Sequence, residues 1–150
     1  MIKKINDINC DNIWVEIFKN NFCMIVGFLY RHPNNNNDVM KSFINNFKNT
    51  ISLLNNKNVK IIIMGDININ LMHKNNPMIN KYINFLIFNK LIILNNNITR
   101  YSSNKSKETN TKGTAIDHIY FRNNNYKCKN NKLIINNGTI TVAIADHEAI

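Results

Sequence analysis

The spacing of hydrophobic positions predicts a pair of adjacent strands near the start of the chain. Residues 12–18 (NIWVEIF) alternate enough to form a strand, and residues 22–30 (FCMIVGFLY) are almost continuously apolar. The second run is therefore expected to be buried on both faces of a sheet. Asn20 and Asn21 lie between the two runs, and Asn tolerates the positive φ of a tight turn, so the pattern predicts a β-hairpin.

A first amphipathic helix is predicted after the loop of residues 31–37 (RHPNNNN). Asp38 is the expected N-cap, because its carboxylate can accept a hydrogen bond from the first free backbone N–H groups. Six apolar residues recur at helical spacing and form one face. They are Met40, Phe43, Ile44, Phe47, Ile51 and Leu54.

A short β-branched run at residues 59–64 (VKIIIM) predicts the next strand, and a second helix follows it. Asn76 followed by Pro77 is typical of a helix start, because the fixed φ of proline suits the first helical position. The apolar positions of this helix are Ile79, Tyr82, Ile83, Leu86 and Ile87.

The last third of the chain predicts further strands around a polar loop. Residues 91–101 form a short strand or connector, residues 102–113 are basic and aperiodic, and residues 114–122 (TAIDHIYFR) return to a strand. Residues 132–135 and 140–145 predict two more strands with a turn between them. Since the longest helices lie between strands, we expect an α/β fold with the sheet covered by helices.

Composition narrows the class of protein. The chain has 150 residues, 44% of them hydrophobic, which suits one domain with a real core. No apolar run approaches the roughly 20 residues that a membrane span needs, and no signal peptide is visible at the start. Cys10, Cys23 and Cys128 form no CxxC pair, so we expect a soluble protein of a reducing, intracellular compartment.

The formal net charge is +10, from 19 basic and 9 acidic residues. This sign favours partners rich in phosphate or anionic membrane surfaces. Asn makes up roughly a fifth of the chain, however, and AT-rich coding DNA would enrich Asn, Ile and Lys together. Codon bias thus explains the lysines equally well, and the charge alone does not identify a partner.

Polar side chains recur where apolar strands end, and these are the candidate functional residues. The candidates are Tyr30, Asp66, Asn68, Asp117, Asp146 and His147. Strand ends of one sheet open onto the same edge, so these groups can converge in a cleft. Together they offer a carboxylate for a hard divalent cation, a His for proton transfer with a second carboxylate to hold it, and an amide to steady developing charge. That combination favours metal-assisted hydrolysis.

Three of these residues have structural explanations that compete with the functional one. Asp66 and Asn68 could form an Asx-turn after a strand. Asp117 lies inside an apolar strand, where an unpaired acid is costly, so a structural ion pair with Arg122 or a lysine is an alternative.

The histidines also have simpler explanations. Asp146 and His147 would be an ordinary loop pair in most proteins. His32 and His73 look like loop residues at the surface. His118, next to Asp117 on a strand, is expected to point to the opposite face and either to pack there or to lie at the surface.

Four motifs together resemble a known family. "YRHPN", "IIIMGDININL", "TRYSS…GTAIDHIYFR" and "ADHEAI" occur in the order found in the endonuclease/exonuclease/phosphatase superfamily. The likeness is to the apurinic-type endonuclease domain of LINE-like non-LTR retrotransposons, where the corresponding pieces are Y-R-x-P, G-D-F-N, T-R with a later T-x-I-D-H-I, and S-D-H-x-P. It extends over residues 13–150.

The resemblance implies a fold and an activity. The fold would be a four-layer α/β sandwich, with two packed mixed sheets flanked by helices. The activity would be hydrolysis of DNA phosphodiester bonds with Mg²⁺ or Mn²⁺ and no small-molecule cofactor, and the location nuclear. By matching positions, Tyr30 would contact the scissile phosphate, Asp66 would orient or activate the attacking water, and Asn68 would hydrogen-bond the phosphate. Thr114 would lie near the DNA backbone.

The remaining positions would complete the site. By the same resemblance, Asp117 would hold His147 by a carboxylate–imidazole hydrogen bond, and His147 would act as general base or stabilise phosphoryl oxygens. Asp146 would help to ligate the metal. The basic loop of residues 102–113 would contact DNA.

The chain also departs from the family pattern. The family's first strand carries an Asn and its second a Glu that binds metal, and neither precedes "IWVEI", where Glu16 belongs to a later strand. Ile67 replaces the Phe of G-D-F-N, Ala145 the usual Ser and Ala149 the usual Pro. We therefore expect residues 1–150 to be a single incomplete domain that lacks its N-terminal part. Two alternatives are a non-catalytic basic remnant that binds nucleic acid, and a phosphatase of the same superfamily.

Overall fold

The fold of the described chain combines a mixed sheet with two helices. The computed structural model describes residues 8–19, 22–34, 36–55, 59–95, 97–101 and 113–123. Their elements in chain order are β1 (Cys10–Lys19), β2 (Phe22–Arg31), α1 (Asn37–Asn55), β3 (Lys60–Asp66), α2 (Pro77–Phe88), β4 (Ile92–Ile93), β5 (Arg100–Tyr101), β6 (Gly113–Thr114) and β7 (Asp117–Asn123). The predicted strands at residues 132–135 and 140–145, and residues 102–112 of the predicted loop, lie outside the described residues.

The first two strands form the predicted hairpin. They pair antiparallel over their whole length, from Lys19 opposite Phe22 to Cys10 opposite Arg31. The hairpin prediction is therefore confirmed, although the two Asn residues proposed for its turn lie outside the described part of the chain.

The main sheet has five strands in the order β1-β2-β3-β7-β4. β2 and β3 are parallel, whereas β3 pairs antiparallel with β7 and β7 antiparallel with β4. β5 and β6 form a separate two-stranded sheet. The α/β prediction is confirmed at this level, while the described residues contain one layer of five strands and not the two packed large sheets of a four-layer sandwich.

Both helices cover the same face of the five-stranded sheet. Ile25, Ile61 and Tyr120 from the central strands are fully buried and belong to one apolar cluster with helix residues. The predicted helix residues of that cluster are Phe43, Phe47, Ile51, Leu54, Ile79, Tyr82 and Leu86. Removal of this apolar area from water stabilises the fold by roughly 25 cal/mol per Å².

Neither helix is long and apolar enough to span a membrane.

Each helix is preceded by an asparagine whose side chain accepts hydrogen bonds from the first backbone N–H groups. Asn76 accepts hydrogen bonds from the N–H groups of Met78 and Ile79, and Pro77 is the first helical residue, as predicted. In α1 the N-cap prediction was wrong, because Asn36 Oδ1 accepts from Asp38 N (2.8 Å) and Asp38 lies in the first turn. An Asn two residues upstream thus takes the role expected of the Asp.

The other face of the sheet carries exposed apolar side chains. We call this the apolar face and define it by Ile13, Val15, Ile17, Phe28 and Ile92, all of which are exposed. The expected burial of β2 on both faces therefore holds at Val26, which is buried, but was wrong at Phe28 and Tyr30, which are 45% and 46% exposed. Strand alternation puts these two residues on the face that the helices do not cover.

Gly65 allows β3 to approach β2 closely. Its φ is +144°, a backbone conformation that L side chains rarely adopt, and a Cβ added there would lie 1.9 Å from the carbonyl oxygen of Leu29. Glycine is thus required at this point for steric and conformational reasons, and it directly precedes the candidate Asp66.

Substituting Gly65→Ala should strongly destabilise the protein. The new Cβ would meet backbone, which cannot move aside without breaking the β2–β3 pairing, and the added backbone strain costs about 1–3 kcal/mol by itself. Urea denaturation followed by circular dichroism would measure the change in the free energy of unfolding.

Gly27→Ala is the matched control for this prediction. There the added Cβ would meet the ring of Trp14, at 2.5 Å, and a side chain can shift. Equal losses in the two variants would show that the contact between Gly65 and the Leu29 carbonyl is not a special constraint.

Candidate functional site

Two candidate carboxylates lie on facing positions of neighbouring strands. Asp66, the last residue of β3, is paired in register with Asp117, the first residue of β7, and both are half-buried. Like charges directly opposite each other destabilise a sheet. This pair therefore marks a place where a cation, a proton or hydrogen-bond donors are favoured.

Tyr30 lies at the same end of the same sheet face. The β2–β3 register pairs Phe28 with Met64, and alternation puts Tyr30 in line with Asp66 two positions further. Tyr30 and Asp117 both line an open hollow of about 480 Å³. Phe28 and Ile119 of the central strands contribute apolar wall, and Asp11 and Asn12 of β1 line the hollow as well. The hollow thus combines an apolar wall with a phenol and a carboxylate at its rim.

Asn68 is fixed next to this rim by a tight turn. Its N–H donates to Asp66 Oδ1 (2.9 Å), and its φ is +50°, so the Asx-turn proposed from the sequence is present. Asn68 Nδ2 donates to the backbone carbonyl of Arg31 (2.7 Å). The turn therefore does not exclude a functional role, because it holds the Asp66 carboxylate and the Asn68 amide in set orientations beside the end of β2.

The fully buried Arg31 side chain hydrogen-bonds to the backbone of the same turn. Its Nη1 donates to the carbonyl oxygen of Asn68 (3.3 Å) and lies 3.5 Å from that of Ile67. Nη2 donates to the Asn34 carbonyl (2.8 Å), and the guanidinium lies 5.6 Å from the centre of the Phe43 ring. The sequence analysis gave Arg31 no role. Its position at the end of an apolar strand was nevertheless a signal that its side chain could be buried and bonded to specific acceptors.

The backbone around Asp117 is held by two side chains that the sequence analysis missed. Thr99 Oγ1 accepts from the N–H groups of Ile116 (3.3 Å) and Asp117 (3.2 Å). Asn95 donates from Nδ2 to the Asp117 carbonyl (2.5 Å) and accepts at Oδ1 from the Ile119 N–H (2.6 Å). Both side chains are buried. Their hydrogen bonds fix the backbone at the start of β7 and thereby the position of the Asp117 carboxylate.

His118 points to the face opposite to Asp117, as predicted, and of the two alternatives left open there it is buried rather than at the surface. Its Nε2 lies 3.0 Å from the Ile69 carbonyl and 3.2 Å from that of Ala115, so Nε2 carries the proton and Nδ1 accepts from the Tyr120 hydroxyl. Tyr120 is in turn hydrogen-bonded to Tyr82 (2.6 Å). This buried chain ties α2 to the turn that carries Asn68. Burial lowers the pKa of His118 to about 4.

Arg122 and Thr114 lie away from the rim. Arg122 is on the helix-covered face, where Nη1 donates to the Asn89 carbonyl (3.4 Å), whereas Asp117 is on the opposite face of the same strand. Thr114 pairs with Arg100 in the two-stranded sheet, and its Oγ1 is buried.

One carboxylate–imidazole pair at the rim was not anticipated. His32 Nε2 lies 2.9 Å from Asp11 Oδ2, and the His32 ring centre lies 5.3 Å from that of Tyr30. Asp11 also lines the hollow. The two residues are 21 positions apart, and nothing in the sequence pattern links them. His73, the other histidine expected in a surface loop, is half-buried.

The structure thus gathers four of the candidates at one end of the sheet. They are Tyr30, Asp66, Asn68 and Asp117, whereas Asp146 and His147 lie outside the described residues. No group of three or more His, Cys, Asp or Glu side chains able to hold a metal ion occurs in the part of the chain that the structure describes. Two facing carboxylates are oxygen ligands of the kind Mg²⁺ prefers, but they do not complete a metal site.

Replacing Thr99 by Val should destabilise the protein by about 2 kcal/mol, because two buried N–H groups lose their acceptor while the side-chain shape is kept. Chemical denaturation would measure the loss. Thr50→Val is the control, since the buried Thr50 hydroxyl only donates to the Asn46 carbonyl (3.2 Å) within α1. A loss at Thr99 no larger than the loss at Thr50 would contradict the assigned role.

Protein stability should fall as pH drops from about 6.5 to about 4, because His118 stays neutral when folded but takes up a proton when unfolded. The expected loss is roughly 2–3 kcal/mol. Urea denaturation across this range would measure it. His118→Gln should remove this part of the pH dependence, whereas His73→Gln should retain it, and an unchanged pH profile in His118→Gln would contradict the assignment.

Comparison with known proteins yields structural likeness alone. No protein-family model matches the sequence, and no curated protein does. The fold is similar to that of the endonuclease domain of TRAS1, a telomere-specific non-LTR retrotransposon, with a TM-score of 0.51 and 14% identity. That likeness covers 77% of this chain and 57% of the domain.

Two further likenesses have lower TM-scores. A β-hairpin deletion mutant of β toxin from Staphylococcus aureus gives a TM-score of 0.47 at 16% identity, over 93% of this chain and 54% of that one. An endonuclease/exonuclease/phosphatase family protein from Bacteroides thetaiotaomicron gives 0.46 at 16% identity, over 75% and 40%. The described chain thus has a fold similar to that of a retrotransposon endonuclease domain, as the motif resemblance predicted.

Proposed function

We propose that this chain belongs to a domain that hydrolyses phosphodiester bonds and nicks DNA. One observation carries the proposal: Tyr30, Asp66 and Asp117 lie at one end of one sheet face, where Tyr30 and Asp117 line an open hollow. Phosphodiester hydrolysis needs a group that positions the phosphate, a group that orients water, and a carboxylate that supports proton transfer. The three side chains have the chemistry for these tasks.

Tyr30, Asp66 and Asn68 would act directly on the substrate. The Tyr30 hydroxyl would donate to an oxygen of the scissile phosphate. The Asp66 carboxylate, oriented by its bond to the Asn68 N–H, would orient or activate the attacking water. The Asn68 amide would hydrogen-bond the phosphate, and its fixed turn reduces the entropy cost of doing so in the transition state.

Proton transfer would involve residues beyond the described part of the chain. Asp117 would hold the imidazole of His147, which would act as general base or stabilise the phosphoryl oxygens. Asp146 would help to hold Mg²⁺ or Mn²⁺, and a divalent ion bound there would neutralise charge on the phosphate. Among the described residues, Asp66 and Asp117 are the acids whose carboxylates would lie near such an ion.

DNA is the proposed substrate because of the chain's charge and its motifs. The net charge of +10 favours a polyanion. Thr114 and the basic loop that precedes it would lie along the DNA backbone and position the strand without reading its sequence. A nuclear location would follow from this function.

The apolar face supports a further proposal about domain organisation. Ile13 is 62% exposed and Phe28 45% exposed, in a sheet whose other face is covered by helices. Sheets with an apolar face pack on a second sheet or on helices. We propose that residues 1–150 are an incomplete domain and that this face packs on the second sheet of a four-layer sandwich. That sheet would cover the apolar wall of the hollow, to which Ile13 and Phe28 belong, and would leave the polar residues of the rim at its edge. The likeness to only 57% of the retrotransposon domain supports this proposal.

Asp117→Asn and Asp66→Asn should each lower DNA nicking at least about 100-fold, since each removes a carboxylate needed for proton transfer or water orientation. Asn at position 66 can still accept the Asn68 N–H, so the turn should persist. Conversion of supercoiled plasmid to the open circle, with Mg²⁺ and with EDTA, measures the activity. It should be assayed for this chain and for the chain extended upstream in its coding sequence.

Asp38→Asn is the control, because Asp38 is an exposed acid on α1 that pairs with Lys41 (2.8 Å) away from the rim. Nicking that survives both rim substitutions would overturn the proposal. Salt-sensitive DNA binding with no nicking, even by the extended chain, would instead identify a non-catalytic nucleic-acid-binding remnant. Phosphate release from inositol phosphates or phospholipids, with DNA left intact, would identify a phosphatase.

A further inference from the structure

The rim of the hollow carries an acidic residue whose charge opposes the proposed substrate. Asp11 lies directly opposite Tyr30 in the β1–β2 ladder and lines the hollow beside it. Its side chain is 78% exposed. A phosphate held by Tyr30 would therefore lie within a few ångströms of the negatively charged Asp11 carboxylate. At that range the repulsion weakens phosphate binding even in water.

His32 contacts this carboxylate through one of its oxygens. Its Nε2 lies 2.9 Å from Asp11 Oδ2, and its side chain is 45% exposed. The ring is tilted by 48° against the ring of Tyr30. His32 thus contacts both the acid that would repel a phosphate and the phenol proposed to bind it.

The backbone holds His32 in this position. Its N–H donates to the carbonyl of Asn9 (2.8 Å), which continues the β1–β2 ladder one step beyond Arg31. Pro33 follows, and a residue before proline is restricted to extended conformations. His32 therefore lies on the same side of the ladder as Tyr30, and its contact with Asp11 is set by strand geometry rather than by a chance loop position.

We propose that His32 screens the Asp11 carboxylate and thereby sets the affinity of the rim for the DNA backbone. This inference rests on the proposed function. A hydrogen bond from the imidazole Nε2–H to Asp11 Oδ2 would partly offset the negative charge of that carboxylate and so reduce its repulsion of a phosphate held by Tyr30. His32 acts through Asp11, so it is a positioning residue that affects binding of the substrate rather than the chemical step.

A double-mutant cycle tests the screening. The variants are His32→Phe, Asp11→Asn and the two combined, with His73→Phe as a matched control. Phe keeps a ring beside Tyr30 but cannot bond to Asp11. Fluorescence anisotropy with a labelled DNA duplex in EDTA measures the dissociation constant without cleavage, and plasmid nicking gives kcat and KM separately.

At low ionic strength, His32→Phe should weaken DNA binding about three-fold and Asp11→Asn should strengthen it by a similar factor. Adding His32→Phe to Asp11→Asn should change nothing further, because no charge remains to be screened. The differences should disappear at roughly 0.5 M salt, where exposed charges are screened. KM should follow the dissociation constant while kcat stays unchanged, and His73→Phe should match the wild type.

The outcomes separate the inference from the proposed function. If the wild-type chain neither binds nor cleaves DNA, both fall. If it binds DNA and His32→Phe binds equally well, the inference alone is wrong. A His32→Phe effect of the same size in the Asp11→Asn background would show that His32 contacts DNA directly, which also overturns screening through Asp11.

Discussion

The reciprocal bonding between Arg31 and Asn68 is the constraint on which the candidate site depends. The Asn68 side chain donates to the Arg31 carbonyl, and the buried Arg31 side chain donates to the Asn68 carbonyl. Burying a guanidinium is costly unless its N–H groups find acceptors. The turn after β3 supplies the acceptors for Nη1, and the Asn34 carbonyl accepts from Nη2, so the turn and the end of β2 hold each other in place. Tyr30 and Asp66 are direct neighbours of these two segments and are positioned by the same contacts.

The two faces of the sheet have different roles: one carries the contacts that anchor the strands, and the other carries the candidate acids. On the helix-covered face, His118 and Tyr120 form a buried hydrogen-bond chain that reaches the turn beyond Asp66. On the apolar face, Asp66 and Asp117 stand opposite each other beside the hollow. Because neighbouring residues of a strand point to opposite faces, His118 anchors the backbone next to Asp117 from the helix-covered face. Next to Asp66, Gly65 instead allows the close approach of β2.

Strand alternation and helical periodicity were sufficient to predict most elements of the fold. The hairpin, both helices, β3 and β7 are found near their predicted positions. The incorrect predictions had two causes. Asp38 was expected to cap α1, but the helix begins earlier, at Asn37, so that Asn36 is the capping residue. Continuous apolar character in β2 could not show that Phe28 and Tyr30 would be exposed, because exposure depends on what covers each face.

The sequence by itself determined which residues could carry chemistry and on which strands they lie, because side-chain type and alternation are local properties. It also carried the motif order that predicted the likeness to a retrotransposon endonuclease domain. Only the tertiary structure decided the register that sets Asp66 opposite Asp117, the contact between Asp11 and His32, and the use of Thr99 and Asn95 as anchors. Each of these joins distant parts of the chain, and such pairings follow from strand order and packing, which no local pattern specifies.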